Sequence, residues 1–454
     1  MSDRDADGRH VQSADDGIQP GVPTVGSDRD PVAAFPQNER DHRPGADPCY
    51  KCSTCDTVCP VAAVDDEFPG PKFQGPEQWR LSRKDGSTID DSISQCSNCM
   101  RCLGACPEDV PLSQMHNELR GQYVADEGIS LRNRMLANYG RLAGIASKVP
   151  RLANLAMRNP ISRWVADRML GIPSEREFPT FATQTFREWW DERGGAQVES
   201  EDRRVAYFHG DYANYNTPEV ARAFVRVFEA FGYEIAVPPQ RCSGTPMFAN
   251  GAMDDARRAA EFNVEHLREY VDEGYDVVCS CTSCSMALRK EYPELFDIDG
   301  VEAVATNTYE AIEYLQLYAE LEDRLAAADV DWPNLAYHAP CHARAQGLGD
   351  RTAPLFDDVD GLQVFDVGDS CSGISGTYGW KDEHYETSMA VGHEMFDEMR
   401  AADARTGLTE CPTCAMQMEH GTGYDVHHPL EVLADGLATL DSTGERGQNR
   451  TQQR

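Results

Sequence analysis

From residue 204 onward the hydrophobic positions follow two alternating periods. Short apolar runs, RVAYFHG (204–210), YEIAVPP (233–239) and YDVVCSC (275–281), have the length and composition of strands. Between them TPEVARAFVRVFEAFG (217–232) and DDARRAAEFNVEHLREYVDEG (254–274) place apolar residues three and four apart, as helices do. In the first, Thr217 is positioned as N-cap, Pro218 as first helical residue and Gly232 as stop. The series returns as NLAYHAP (334–340), LQVFDVG (362–368), a helix around 384–403 and TGLTECPTC (406–414). Strands alternating with helices predict parallel sheets with crossover connections, here two α/β units over 204–330 and 331–440.

Upstream the pattern differs. Residues 129–172 read as a helical stretch, followed by a linker that ends in the polar run DERGGAQVESEDRR (191–204), a domain boundary. Residues 46–128 carry eight cysteines in two groups, each spaced Cys-x2-Cys-x2-Cys-x3-Cys-Pro, and this separate domain resembles the helical ferredoxin fold. Residues 1–45, rich in Asp, Pro and Gly, read as a disordered acidic extension, and 441–454 as a polar tail.

Charge narrows the partners. The chain has 42 Lys and Arg against 76 Asp and Glu, a net −34, and only six of the cations are lysines. An acidic, lysine-poor surface suits a cytoplasm with high salt; an acidic docking face is the alternative, and the even spread of charge favours the first. Nucleic acid is disfavoured as a partner, since phosphates need the opposite sign. No apolar run resembles a signal peptide or a membrane span, so the chain is expected to be intracellular, and its 16 cysteines to serve metal or redox chemistry rather than disulfides.

Eight of those cysteines follow one pattern twice. Cys49, Cys52, Cys55 and Cys59 are spaced Cys-x2-Cys-x2-Cys-x3-Cys-Pro, and Cys96, Cys99, Cys102 and Cys106 repeat it. Three closely spaced thiolates reach three irons of one cube, while the fourth serves the other cluster. One 4Fe–4S cluster is thus assigned Cys49, Cys52, Cys55 and Cys106, the other Cys96, Cys99, Cys102 and Cys59. Two structural zinc sites are the alternative, but zinc gives no reason for the third cysteine and the Cys-Pro closure.

The remaining cysteines form a second repeat. Cys242, Cys281 and Cys284 recur as Cys371, Cys411 and Cys414, and Asp211 stands where the second copy has Cys341, all at a separation of about 130 residues. The marked residues lie at strand ends, the edge where α/β folds build ligand sites. The pattern resembles the cysteine-rich "CCG" family, which includes the iron–sulfur chains of heterodisulfide reductases and of lactate and glycolate oxidases. Around these cysteines lie FPGPK (68–72), LSRKDG (81–86), FHGDYANYN (208–216), PMFANG (246–251) and CSGISGTYG (371–379). With these motifs, and behind a two-cluster ferredoxin domain, the chain is most similar to the iron–sulfur C-chain family of anaerobic glycerol-3-phosphate dehydrogenases.

This resemblance implies an electron carrier rather than the catalytic chain. Its partners would be flavin-containing dehydrogenase subunits that oxidise sn-glycerol 3-phosphate and a membrane quinone, with the chain peripheral on the cytoplasmic side of the membrane. No flavin or nucleotide fingerprint occurs in the sequence itself. The departures are Ser243 and Ser372, which replace the second cysteine of CCG and argue against a five-thiolate double cluster. Cys341, Cys371, Cys411 and Cys414 remain as ligands of a third cluster. Asp211, Cys242, Cys281 and Cys284 make a possible fourth site, with Cys279 as a substitute thiol, or a frame that has given up its metal. Gly244 and Gly373 would permit close backbone approach. His338, His342, His427 and His428 read as packed or capping residues. A heterodisulfide-reductase-like thiol reductase is the second functional reading.

One segment remains. Residues 129–171 carry eight cations against Asp167 alone, interleaved with apolar residues at helical spacing. Arg141, Lys148, Arg151 and Arg158 are candidates for contact with lipid or quinone. A connector docked between domains is the competing reading, slightly favoured by the charge pattern.

Overall fold

The structure, a computed structural model, describes residues 49–82, 88–325 and 332–437, apart from 358, 360 and 369. The expected extension at 1–45, the tail at 441–454 and part of LSRKDG lie outside the described residues.

Residues 49–111 form loops, single helical turns and one longer helical stretch over 71–82 that lead into α1 (Leu112–Glu127). Leu112, Met115, His116, Leu119 and Arg120, spaced three and four apart, are the buried face of α1. The helical stretch after it is four helices: α2 (Leu131–Ala137), α3 (Tyr139–Ala146), α4 (Pro150–Arg158) and α5 (Pro160–Leu170). The last two breaks have a simple cause. Pro150 and Pro160 have no N–H to continue a preceding helix, and both sit in the first turn of the next. The expected linker contains a further helix, α6 (Phe186–Glu192), closed by a capping box between Thr185 and Glu188. Phe186 is fully buried with its ring edge-on to Tyr207 at 5.6 Å, so the first α/β core already begins within this segment.

Two parallel sheets follow. In the first, β1 (Arg204–Phe208), α7 (Pro218–Ala230), β2 (Glu234–Ala236), α8 (Met253–Asp272), β3 (Asp276–Cys279) and β4 (Thr308–Glu310) give the strand order β2-β1-β3-β4. Thr217 precedes α7 as expected, but its side chain makes no cap; the hydroxyl donates to the Tyr212 carbonyl. The second sheet has β5 (Leu335–Tyr337), β6 (Val364–Asp366), α9 (Asp382–Ala401), β7 (Thr406–Leu408) and β8 (Asp425–His427), in the matching order β6-β5-β7-β8. The pattern did not anticipate β4 and β8. Their residues, Thr-Tyr-Glu and Asp-Val-His, form no apolar run of the kind that marks the other strands.

The halves share one apolar core that includes Tyr207, Phe224, Phe228 and Ile235 from the first unit and Leu335, Tyr337, Leu408 and Leu433 from the second. Burial of such side chains contributes about 1.5–3 kcal/mol each. The repeat extends into this core: Tyr207 Oη pairs with Ser280 Oγ at 2.8 Å, and its counterpart Tyr337 donates to Glu410 at 3.0 Å. Short helices Thr282–Met286 and Cys341–Ala345 pack together, and Cys341–Ala345 also packs on Arg101–Gly104 of the ferredoxin part.

Candidate metal centres

The eight ferredoxin-type cysteines line two hollows. Cys49, Cys52, Cys55 and Cys106 surround one, with Tyr50, Lys72 and Val110. Cys59, Cys96, Cys99 and Cys102 surround the other, with Ser97, Asn98 and His116. Each hollow thus takes three thiols from one segment and a fourth from the other.

The backbone is shaped to match. Lys51 and Ser53 have φ of +66°, and the equivalent Asn98 and Met100 have +58° and +63°. A left-handed non-glycine residue costs about 1–2 kcal/mol, and such strain persists where the surroundings impose it. Left-handed residues alternating with right-handed ones turn successive N–H groups inward, making the concave nest that suits anionic iron–sulfur groups.

The electrostatics point the same way. Burial pushes the Cys55 and Cys59 thiols up to about 12, and Cys102 rises through burial and its neighbours Cys99 and Cys96. Packed thiols disfavour thiolate charge among themselves, and a bound cationic iron core would reverse that balance. Cys96 is different. Burial opposes its charge, yet His116 (Nδ1 3.7 Å from the sulfur) and Arg120 bring it down to about 6. Among the described residues, no His, Cys, Asp or Glu group is arranged to hold a single metal ion; the thiols line hollows instead.

FPGPK explains itself here. The Pro71 carbonyl holds His116 Nε2 at 3.2 Å, while Lys72 donates to Ser53 Oγ at 2.6 Å and pairs with Asp56 at 3.4 Å. One short motif thereby fixes residues beside both hollows. The cysteine spacing carried no sign of His116, Arg120 or the left-handed positions, because none of them is a cysteine or a glycine.

The second frame gathers its four thiols. Cys341 and Cys371 have sulfurs 3.6 Å apart, and Arg344 donates to Cys341 at 3.4 Å. Cys411 and Cys414 are close enough that contact raises Cys414 and lowers Cys411. Ser372 Oγ lies 3.3 Å from Cys414 Sγ. Gly373 has φ of +82°, and a Cβ there would lie 2.1 Å from the Ser388 carbonyl oxygen, so this turn requires glycine.

The first frame brings Asp211 to Cys242, and Cys281 to Cys284. Burial pushes the Asp211 carboxyl up to about 6, against the Cys242 contact that lowers it, and Oδ2 has no hydrogen-bond partner. Gly140 of α3 covers that oxygen; a Cβ at Gly140 would sit 2.2 Å from it. Tyr139 stacks on Tyr212 with ring centroids 5.3 Å apart. Cys279 instead packs in the apolar core, with Cys281, Glu310 and Arg289 as its charged neighbours. The histidines are packed or bonded as expected. His338 is fully buried, His342 meets Ser283 Oγ at 2.9 Å, His427 lies 3.8 Å from Glu431, and His428 meets the Ser280 carbonyl at 2.7 Å.

The four groups of residues are contiguous. Cys102 and Cys55 lie within mutual electrostatic reach, joining the two hollows. Cys371 is raised by Cys341 and then by Cys99, so the second frame abuts the hollow that contains Cys99. Tyr212 stands between the frames: its burial-raised hydroxyl feels Cys411 on one side and Asp211, Cys242 and Cys281 on the other.

Comparison with known proteins agrees with this division. Residues 45–110 match the 4Fe–4S dicluster domain, and residues 205–289 and 335–419 match the cysteine-rich domain, CCG. The chain is 34% identical over 393 residues to the C chain of the anaerobic glycerol-3-phosphate dehydrogenase of Escherichia coli (strain K12), covering 86% of this chain and 98% of that one. The chain belongs to this family. The B chain of the fumarate reductase (CoM/CoB) of Methanothermobacter marburgensis is 24% identical over 82% of this chain and 67% of its own. Lactate utilization protein A of Shouchella clausii is 30% identical over 50% of this chain and 98% of its own. The 4Fe–4S dicluster domain and the cysteine-rich domains, with the similarity to the Escherichia coli C chain, make this chain an iron–sulfur electron-transfer protein. Iron–sulfur clusters supply one-electron transfer; the thiols lining the hollows would hold them, and the contacts of His116 with Cys96 and of Arg344 with Cys341 would tune the thiolates concerned.

Proposed function

We propose that the chain carries electrons from a flavin-containing partner that oxidises sn-glycerol 3-phosphate to a membrane quinone. The observation that carries this reading is the series of thiol groups from the two hollows to the second frame, with Tyr212 between it and the first frame, set in a chain similar to its Escherichia coli relative over nearly that relative's whole length. In this reading Cys49, Cys52, Cys55 and Cys106 hold one 4Fe–4S cluster, and Cys96, Cys99, Cys102 and Cys59 the second. Cys341, Cys371, Cys411 and Cys414 hold a third, and the frame with Asp211 is a possible fourth site. Ser243 and Ser372 count against a heterodisulfide-type double cluster.

The membrane side of the reading draws on α4 and α5, which contain no buried residue. Val149, Leu152, Leu155, Ile161, Trp164 and Met169 are exposed, interleaved with Lys148, Arg151, Arg158 and Arg168. Apolar and basic side chains on one open helical surface suit an anionic lipid interface. The docked-connector reading describes α2 and α3 instead: Ala137 and Ala143 are fully buried, Tyr139 donates to Asn216, and Asn138 donates to Asp255. Among the described residues no helix is long and apolar enough to cross a membrane.

Anaerobic purification tests the reading. Iron, sulfide and reducible EPR signals are expected, together with a co-purifying flavoprotein that reduces those signals on addition of glycerol 3-phosphate. Zinc without any reducible cluster would overturn it.

A further inference from the structure

Both frames carry a serine directly after the middle cysteine, and both serines do the same thing. Ser372 is 2% exposed, with Oγ 3.3 Å from Cys414 Sγ. Ser243 is 3% exposed and makes the equivalent contact with Cys284. The frames differ in their first residue, Asp211 against Cys341, yet keep this contact. We propose that Ser372 and Ser243 are hydrogen-bond donors to the last thiolate of each frame and set the reduction potential of the centre held there. They are positioning residues rather than ligands.

The chemistry follows from the donor set. A cysteine bound to iron is a thiolate with no proton to give, so the hydroxyl must donate. Donation draws charge from the sulfur and favours the more electron-rich, reduced state, which raises the potential. A hydroxyl oxygen is also a poor match for iron that soft thiolates already bind. The turn fixes the geometry. Gly373 is pressed against the Ser388 carbonyl, and the Ser372 carbonyl lies against Gly392 of α9. The serine backbone is therefore clamped on both sides while its side chain points at the sulfur.

The inference rests on the reading that the second frame holds a cluster, and one titration separates the two. EPR-monitored redox titration of the full chain, purified anaerobically, is compared for the parent protein, Ser372→Ala, Ser372→Thr and Ser370→Ala. Expected is a lower midpoint potential for one signal in Ser372→Ala with iron content unchanged, and a return toward the parent value in Ser372→Thr. Ser370→Ala, whose hydroxyl donates to Glu398 at 3.2 Å rather than to sulfur, should leave the potential unmoved. An unchanged potential in Ser372→Ala, an equal shift in Ser370→Ala, or loss of iron with the signal overturns the donor role. Should Ser372→Thr not fold, the Ser372→Ala and Ser370→Ala titrations decide the question between them. If Cys414→Ala removes neither iron nor any signal, the second frame holds no cluster and the underlying reading falls instead.

Discussion

Asp211 is where the two copies of the repeat part. The sequence placed it in a ligand position by its separation from Cys341, and the structure adds its surroundings: a buried carboxyl against Cys242, roofed by Gly140. Asp211→Cys should raise iron per chain or add an EPR signal if the frame holds metal; identical iron and spectra would mean that it holds none. Glu291 was not legible at all, because one glutamate in RKEYPEL has no distinguishing neighbour. It is fully buried beside Asn117, and burial, reinforced by Glu294, pushes its carboxyl up to about 8. The folded-state value lies above the unfolded one, so the stability this group contributes is complete below about pH 4.5 and is lost as pH rises through 8. Glu291→Gln should therefore melt with the parent at pH 5 and above it at pH 8. The gap should grow by at most about 1.4 kcal/mol per pH unit between these limits, as thermal melts across that range would read.

At the scale of elements, long periodic segments were the legible ones. α7 and α8 were readable because each lays a continuous apolar face on a sheet, and β1, β2 and β3 lie within longer apolar runs of the sequence. The helix α6 was missed because seven residues show too little period, and its capping box is recognisable only once the helix is suspected. The basic stretch shows a different limit. Its periodicity predicted helix correctly, but two docked helices and two open ones have similar patterns, since both faces carry apolar residues. The open pair makes a direct prediction. Leu155→Glu combined with Trp164→Glu, at positions already 67% and 63% exposed, should leave folding and iron content intact. The same change should abolish co-sedimentation with anionic vesicles. Undiminished binding would remove α4 and α5 from the lipid-facing role.

For the whole molecule, the order of domains and the two cysteine patterns were legible because metal ligands are rigidly spaced along the chain. How the parts meet was not, since the contact of Cys99 with Cys371 joins residues far apart in sequence through no shared motif. The net charge of −34 also acts at this scale. If the acidic surface is adapted to salt, the melting temperature should climb as potassium chloride is raised from low to molar concentration, because screening relieves self-repulsion. A flat or falling melting curve would favour the acidic docking face.

The crossed lining of the two hollows has a consequence for how the protein is made. Cys106 closes the hollow begun by Cys49, and Cys59 closes the one built mainly by residues 96–102. A ribosome that has synthesised only the first cysteine group has therefore completed neither site. Assembly of either centre must wait until the second group has left the exit tunnel, and then both can close together.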